Sequence, residues 1–93
     1  MRDYELVYII SPELDEEATA GVVERISQFV SNRGGEIVEV NQWGRRRLAY
    51  PIKHQVEGNY ILAQLRMPPE VSRELESSFR VAEDILRHLL VRR

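Results

Sequence analysis

Ninety-three residues are enough for one hydrophobic core and leave no room for a second domain. The absence of cysteine excludes a disulfide framework, a thiolate metal site and a cysteine nucleophile. The net charge of −2 is unevenly spread: Met1–Gln42 carries 3 basic and 9 acidic residues, net −6, whereas Trp43–Arg93 carries 10 basic and 6 acidic, net +4.

After Met1 the chain enters Arg2-Asp3-Tyr4-Glu5 with no apolar signal core. No later apolar run approaches the roughly 20 residues of a membrane span, so a cytoplasmic protein without membrane contact is expected. Asp3 to Ile10 predicts a first strand, with Tyr4, Leu6, Tyr8 and Ile10 on one face and Val7 and Ile9 on the other. Ser11-Pro12 ends it. Asp15 is placed to cap a helix whose first turn, Glu16 and Glu17, suits the positive end of the helix dipole. Ala18, Val22, Ile26, Phe29 and Val30 recur at helical spacing, and Gly34-Gly35 ends the run.

From Glu36 the period changes to two, predicting a long irregular strand to about Ile52 with a bulge at Gly44. Lys53 to Gly58 is polar and ends in glycine, as a hairpin loop would, and Asn59 to Met67 is the third strand. Pro68-Pro69 stops it and opens a second helix lined by Val71, Leu75 and Phe79. Ile85 to Val91 is the fourth strand. The order strand, helix, strand, strand, helix, strand predicts an α+β, ferredoxin-like βαββαβ fold over residues 1–93. Its four-stranded antiparallel sheet would carry both helices on one face.

The segment Trp43-Gly44-Arg45-Arg46-Arg47-Leu48-Ala49-Tyr50-Pro51-Ile52-Lys53 stands out because three arginines enter a strand-like stretch. Strand alternation puts Arg45 and Arg47 on one face and Arg46 on the other. Taken alone, the run fits phosphate binding and solvated protection of an edge strand about equally. Glycine, basic residues and Leu-Ala-Tyr-x-Ile-Lys resemble the signature of bacterial small-subunit ribosomal protein six. The opening Met1-Arg2-x-Tyr4-Glu5 and the Met67-Pro68 junction extend the resemblance over nearly the whole chain. Trp43 stands where that pattern has a leucine-like residue.

The resemblance implies a non-enzymatic ribosomal subunit that pairs with ribosomal protein eighteen and binds the central domain of small-subunit ribosomal RNA with it. It turns the odds at the arginine run toward RNA. Arg45, Arg46, Arg47 and Lys53 become the main candidates for backbone contact, followed by Arg2, Arg87, Arg92 and Arg93. Such contacts fix register more than sequence.

The sheet face turned away from the helices is the second clue. If Leu6, Ile61, Leu65, Leu86 and Leu90 face the helices, the opposite phase offers Val7, Ile9, Tyr60, Leu62, Leu89 and Val91. That much apolar surface on an open face predicts a covering protein partner, with a homodimer or the ordinary composition of half-buried strands as the alternatives. The aromatic pattern of RNA-recognition motifs is missing, and Trp43 and Tyr50 are expected in core or interface packing ahead of stacking on a base or an arginine.

His54 and His88 have no cysteine to join them, so neither a metal nor another cofactor is expected. His88 falls in the core phase and should find a hydrogen-bond partner. Glu13, Asp15, Glu16 and Glu17 fit a helix start, and no phosphate loop, nucleophile elbow or zinc-protease motif points to a small-molecule substrate. An acyl-phosphate hydrolase of the same fold would need a glycine-rich arginine loop where this chain has Ser11-Pro12-Glu13. A homodimeric ligand-sensing module would leave the arginine run unexplained.

Overall fold

Alternation along the first strand sets the architecture, because its two faces meet different partners. The computed structural model describes residues 1–93, arranged as β1 (Arg2–Ile10), α1 (Glu16–Ser31), β2 (Glu36–Ile52), β3 (Gln55–Met67), α2 (Pro69–Val81) and β4 (Ile85–Arg92). The strands form one antiparallel sheet in the order β2-β3-β1-β4, the ferredoxin-like arrangement expected from the element order. Both helices pack on the face that carries Tyr4, Leu6, Tyr8 and Ile10 of β1 and Ile61, Ala63, Leu65 and Met67 of β3.

Local chemistry fixes the helices. The Asp15 carboxylate accepts the Ala18 amide at 2.7 Å, capping α1. At the other end, the Gly35 amide reaches the Val30 carbonyl at 2.9 Å and the Gly34 amide reaches Ser31 at 3.2 Å, the paired bonds of a Schellman motif. Gly34 supplies the left-handed φ of 84° that this motif needs. The buried stripe of α1 is Thr19, Val22, Ile26 and Val30. Ala18, expected in it, is exposed, and Phe29 lies at its margin with the Arg33 guanidinium 3.7 Å from the ring centroid. Val71, Leu75 and Phe79 of α2 are all buried as their spacing predicts, and Pro69 opens that helix.

The β2–β3 hairpin departs from expectation. Residues 53–58 were expected to form its loop, but β3 begins at Gln55 and the turn is Lys53-His54 alone, with φ of 50° and 67°. Two positive φ values in a two-residue turn match the twist of the flanking strands, even though neither residue is one of the usual glycine or asparagine choices. Gly58 therefore lies within β3. A Cβ there would collide with the Ile9 side chain, so this glycine serves a close approach of strand to strand.

Beyond Asn59 the hairpin outruns β1, whose last partner is Ile10. It covers the far side of the sheet at that end. Ile9, Leu48 and Leu86 form a second buried cluster there, flanked by Ile52 and Tyr60, and the Lys53 ammonium donates to the Ile85 carbonyl at 3.1 Å. Leu86 was expected against the helices. A register shift explains the difference: Ile9 pairs with Arg87 and Ile10 with Ile85, so Leu86 is the extra residue of a bulge and turns to the opposite side from Ile85. His88 faces the helices as expected, but its contact is a stack on Phe79, with ring centroids 4.9 Å apart, in place of the expected hydrogen bond.

Candidate nucleic-acid interface

Pairing across the sheet orders the open face into rows. Leu89, Val7, Leu62 and Asn41 stand side by side on β4, β1, β3 and β2. The neighbouring row is Arg87, Ile9, Tyr60 and Gly44, toward the hairpin turn, and the row on the other side is Val91, Glu5, Gln64 and Glu39. On this face the apolar row thus separates the row of Arg87 from the row of Glu5 and Glu39.

The apolar candidates do not behave alike. Leu89 and Val91 are well exposed, and Val7 and Leu62 are half-buried. Ile9, expected on an open interface, is only 7% exposed because Leu48 of the chain's own hairpin lies over it, and Tyr60 packs at the edge of that cluster. The uncovered apolar surface is therefore Val7, Leu62, Leu89 and Val91.

The eight basic candidates divide into two groups at opposite ends of the sheet. Arg45, Arg46, Arg47, Lys53 and Arg87 gather near the hairpin, whereas Arg2, Arg92 and Arg93 lie where β1 begins. At ~3.4 Å per residue, the length of β1 puts about 25 Å between the groups. Within the run, Arg45 pairs with Asn59 and Arg46 with Gly58, so Arg45 shares the helix-side phase with Arg47 while Arg46 takes the open-face phase. The bulge expected at Gly44 is present: φ is 83° and the register shifts between Gln42 and Gly44, which leaves Trp43 unpaired.

Among the sheet's arginines, ion pairs occur at the far end only, although Arg2 and Arg92 there form none. At the far end, Arg66 donates to Asp3 at 3.0 Å. That hydrogen bond, followed by the charges of Asp3 and Glu36, raises its pKa above the usual guanidinium value. Arg93 pairs with Glu5 at 3.6 Å. Near the hairpin no arginine meets a carboxylate within 4.0 Å. Arg45 donates to the Pro12 carbonyl at 3.2 Å, Arg87 donates to the Tyr50 hydroxyl, and Arg46 and Arg47 make no side-chain hydrogen bond. From Trp43 to Val56 there are 4 basic residues and no acidic one. Glu57, the cross-strand partner of Arg47, is the first acidic residue beyond this stretch, and guanidinium groups not engaged in ion pairs suit a polyanion.

The family profile described as Ribosomal protein S6 matches residues 3–92. The chain belongs to the ribosomal protein S6 family. It is 46% identical over 92 residues to the small ribosomal subunit protein bS6 of Caldanaerobacter subterraneus subsp. tengcongensis, covering 99% of this chain and 97% of that one. The crystal structure of 30S ribosomal protein S6 from Thermotoga maritima superposes with a TM-score of 0.93 at 36% identity, over 99% of this chain and 87% of that one. The C-terminal domain of the MgtC protein from Mycobacterium tuberculosis, at 14% identity and a TM-score of 0.68, shares the fold alone. As an S6-family protein the chain is a structural component of the small ribosomal subunit, in a family that is not enzymatic, and its setting is one of ribosomal RNA and other ribosomal proteins.

Two aromatic residues lie outside the core. Trp43 and Tyr50, expected in core or interface packing, are 48% and 56% exposed and belong to neither buried cluster. Each sits beside an arginine: Arg46 is 5.7 Å from the Trp43 ring centroid and Arg87 is 5.9 Å from that of Tyr50. The three-residue spacing of Trp43 and Arg46 across a glycine bulge was the available signal.

Proposed function

We propose that the chain binds the central domain of small-subunit ribosomal RNA jointly with ribosomal protein eighteen, as a single non-enzymatic domain of the cytoplasmic ribosome. The observation that supports this reading is the junction of two surfaces: the apolar row Leu89–Val7–Leu62 lies directly beside the basic end of the hairpin, whose arginines form no ion pair. A protein partner seated on Val7, Leu62, Leu89 and Val91 would rest next to Arg46 and Arg87. One RNA junction could then touch both proteins. Arg46 and Arg47, with no internal partner, are the leading phosphate contacts, and Arg45 and Lys53 would exchange a backbone acceptor for phosphate. Arg2, Arg92 and Arg93 would meet a separate part of the RNA.

Net charge −2 opposes long-range attraction to RNA, so most affinity should require the partner. The test is RNA binding by the partner-bound complex across a salt series. Each phosphate contact contributes roughly 0.7 to 0.9 to the slope of log affinity against log salt. Arg46→Ala and Arg47→Ala are expected to weaken binding and flatten that slope. Leu62→Asp is expected to weaken partner binding at least tenfold while the isolated domain melts normally. Unchanged affinity and slope for both arginine variants would reduce the run to edge-strand protection.

A further inference from the structure

Trp43 is the chain's only tryptophan and it is placed where a β-strand ordinarily would not expose one. The bulge removes it from the ladder, half of its surface lies in water, and the hairpin's apolar cluster is already filled by Leu48, Ile52 and Tyr60 with Ile9 and Leu86. Its neighbour Arg46 approaches the ring without a carboxylate to hold it elsewhere. An indole exposes a large flat apolar surface to water, and its π-face accepts a base as readily as a guanidinium. A cation next to that ring can bind the phosphate that joins the stacked base to the next nucleotide.

Resting on the RNA-binding reading above, we propose that Trp43 and Arg46 form a stacking site for one unpaired RNA base, with the indole taking the base and the guanidinium its adjoining phosphate. Local charge selects the ligand class. Residues 43–56 carry 4 basic side chains and no acidic one, and Arg87 adds a fifth charge beside Tyr50, a surface matched to a polyanion better than to an apolar protein face. The bases of a regular A-form helix stay stacked on each other, so the site takes a base from a loop, bulge or junction. A second aromatic–arginine pair joins the hairpin to β4: Arg87 donates to the Tyr50 hydroxyl and lies 5.9 Å from its ring centroid.

The test uses the partner-bound complex and a central-domain RNA fragment, comparing the native chain with Trp43→Phe, Trp43→Ala and Arg46→Ala. Stacking is worth a measurable loss on truncation, so Trp43→Ala should lower RNA affinity roughly 5- to 100-fold with an unchanged salt slope, while Trp43→Phe stays within about 3-fold. Arg46→Ala should lower affinity and flatten the slope. Trp43 emission, with Trp43→Phe as the blank, should be quenched by adding RNA and not by adding the partner alone. Thermal melting of each variant separates these losses from unfolding. If native binding is intact and Trp43→Ala binds equally well, the stacking site is wrong and the RNA-binding reading stands. Quenching by the partner alone, with partner affinity lost in Trp43→Ala, makes Trp43 a protein contact and overturns the site. Failure of the native complex to bind the fragment overturns both.

Discussion

Ile9 and Ile10 are neighbours on one strand and both are buried, yet different structures cover them. Ile10 lies in a cluster of 15 buried residues roofed by both helices, and Ile9 lies in a cluster of 3 roofed by the chain's own hairpin. Residues from five of the six strands and helices converge on the first cluster. The second depends on one overhanging hairpin held by Leu48, a lysine-to-carbonyl bond and an arginine–tyrosine contact. The difference teaches where this fold keeps its stability and where it places its candidate functional surface: the helix side is redundant, and the hairpin side is thinly held and carries the arginine run.

The largest expected effect lies on the helix side. Leu75 is fully buried between α2 and the sheet, so Leu75→Ala should destabilise the domain by about 2–5 kcal/mol, the lost transfer energy plus a cavity. In urea unfolding the loss should appear as a lower midpoint with an unchanged slope, reporting the whole domain. A loss below about 1 kcal/mol would mean that the helix layer is loosely packed and the contrast between the two faces is overstated.

Gly58→Ala tests the other face. The added methyl meets Ile9, whose side chain is pinned between β3 and Leu86, and relief requires the hairpin to lift. Overpacking of this kind costs about 1–3 kcal/mol, and here it should be local. Amide exchange should speed up between Arg45 and Gln55 and stay near native in α2 and in the β1–β3 ladder around Leu6. Ile9→Ala in the same chain should restore part of the protection by making room. Uniform acceleration across the domain would show that the hairpin and the main core open together.

This division also explains which parts were legible in the sequence. The helix-facing phase of β1, the triplet Val71, Leu75 and Phe79, the Asp15 cap and the Gly44 bulge each rest on contacts a few residues apart, or on simple alternation, and periodicity reports those directly. Leu86 was misplaced because Ile85 and Leu86 are consecutive apolar residues, and only the pairing of β4 with β1 reveals the bulge between them. Gly58 looked like a turn residue because glycine serves both positive φ and close approach, and the choice depends on Ile9, which is 49 positions away in the chain. Lys53-His54 lacks the usual residues of a two-residue turn. The cover over Ile9 is a long-range event of the same kind. The arginine run was visible from its composition, but its separation from Arg2, Arg92 and Arg93 required the register.

The smallest expected effect probes how dry the helix side is. Tyr8 is almost fully buried there, stacked on Phe79 at 5.9 Å between ring centroids, and burial pushes its phenol well above the ordinary value of about 10. Above pH 10 the unfolded chain releases this proton and the folded chain keeps it. Rising pH therefore favours the unfolded state, and the stability that is fully present below pH 10 is lost progressively above it. The slope approaches about 1.4 kcal/mol per pH unit from this group. Tyr8→Phe removes the group and leaves the other titrating side chains in place. The stability difference between native and Tyr8→Phe proteins should be constant from pH 7 to 9 and then shift by about 1 kcal/mol against the native protein by pH 11, measured by urea unfolding at each pH. A difference that stays flat to pH 11 would place water at the Tyr8 hydroxyl, and the helix-covered side would then be less sealed than its burial implies.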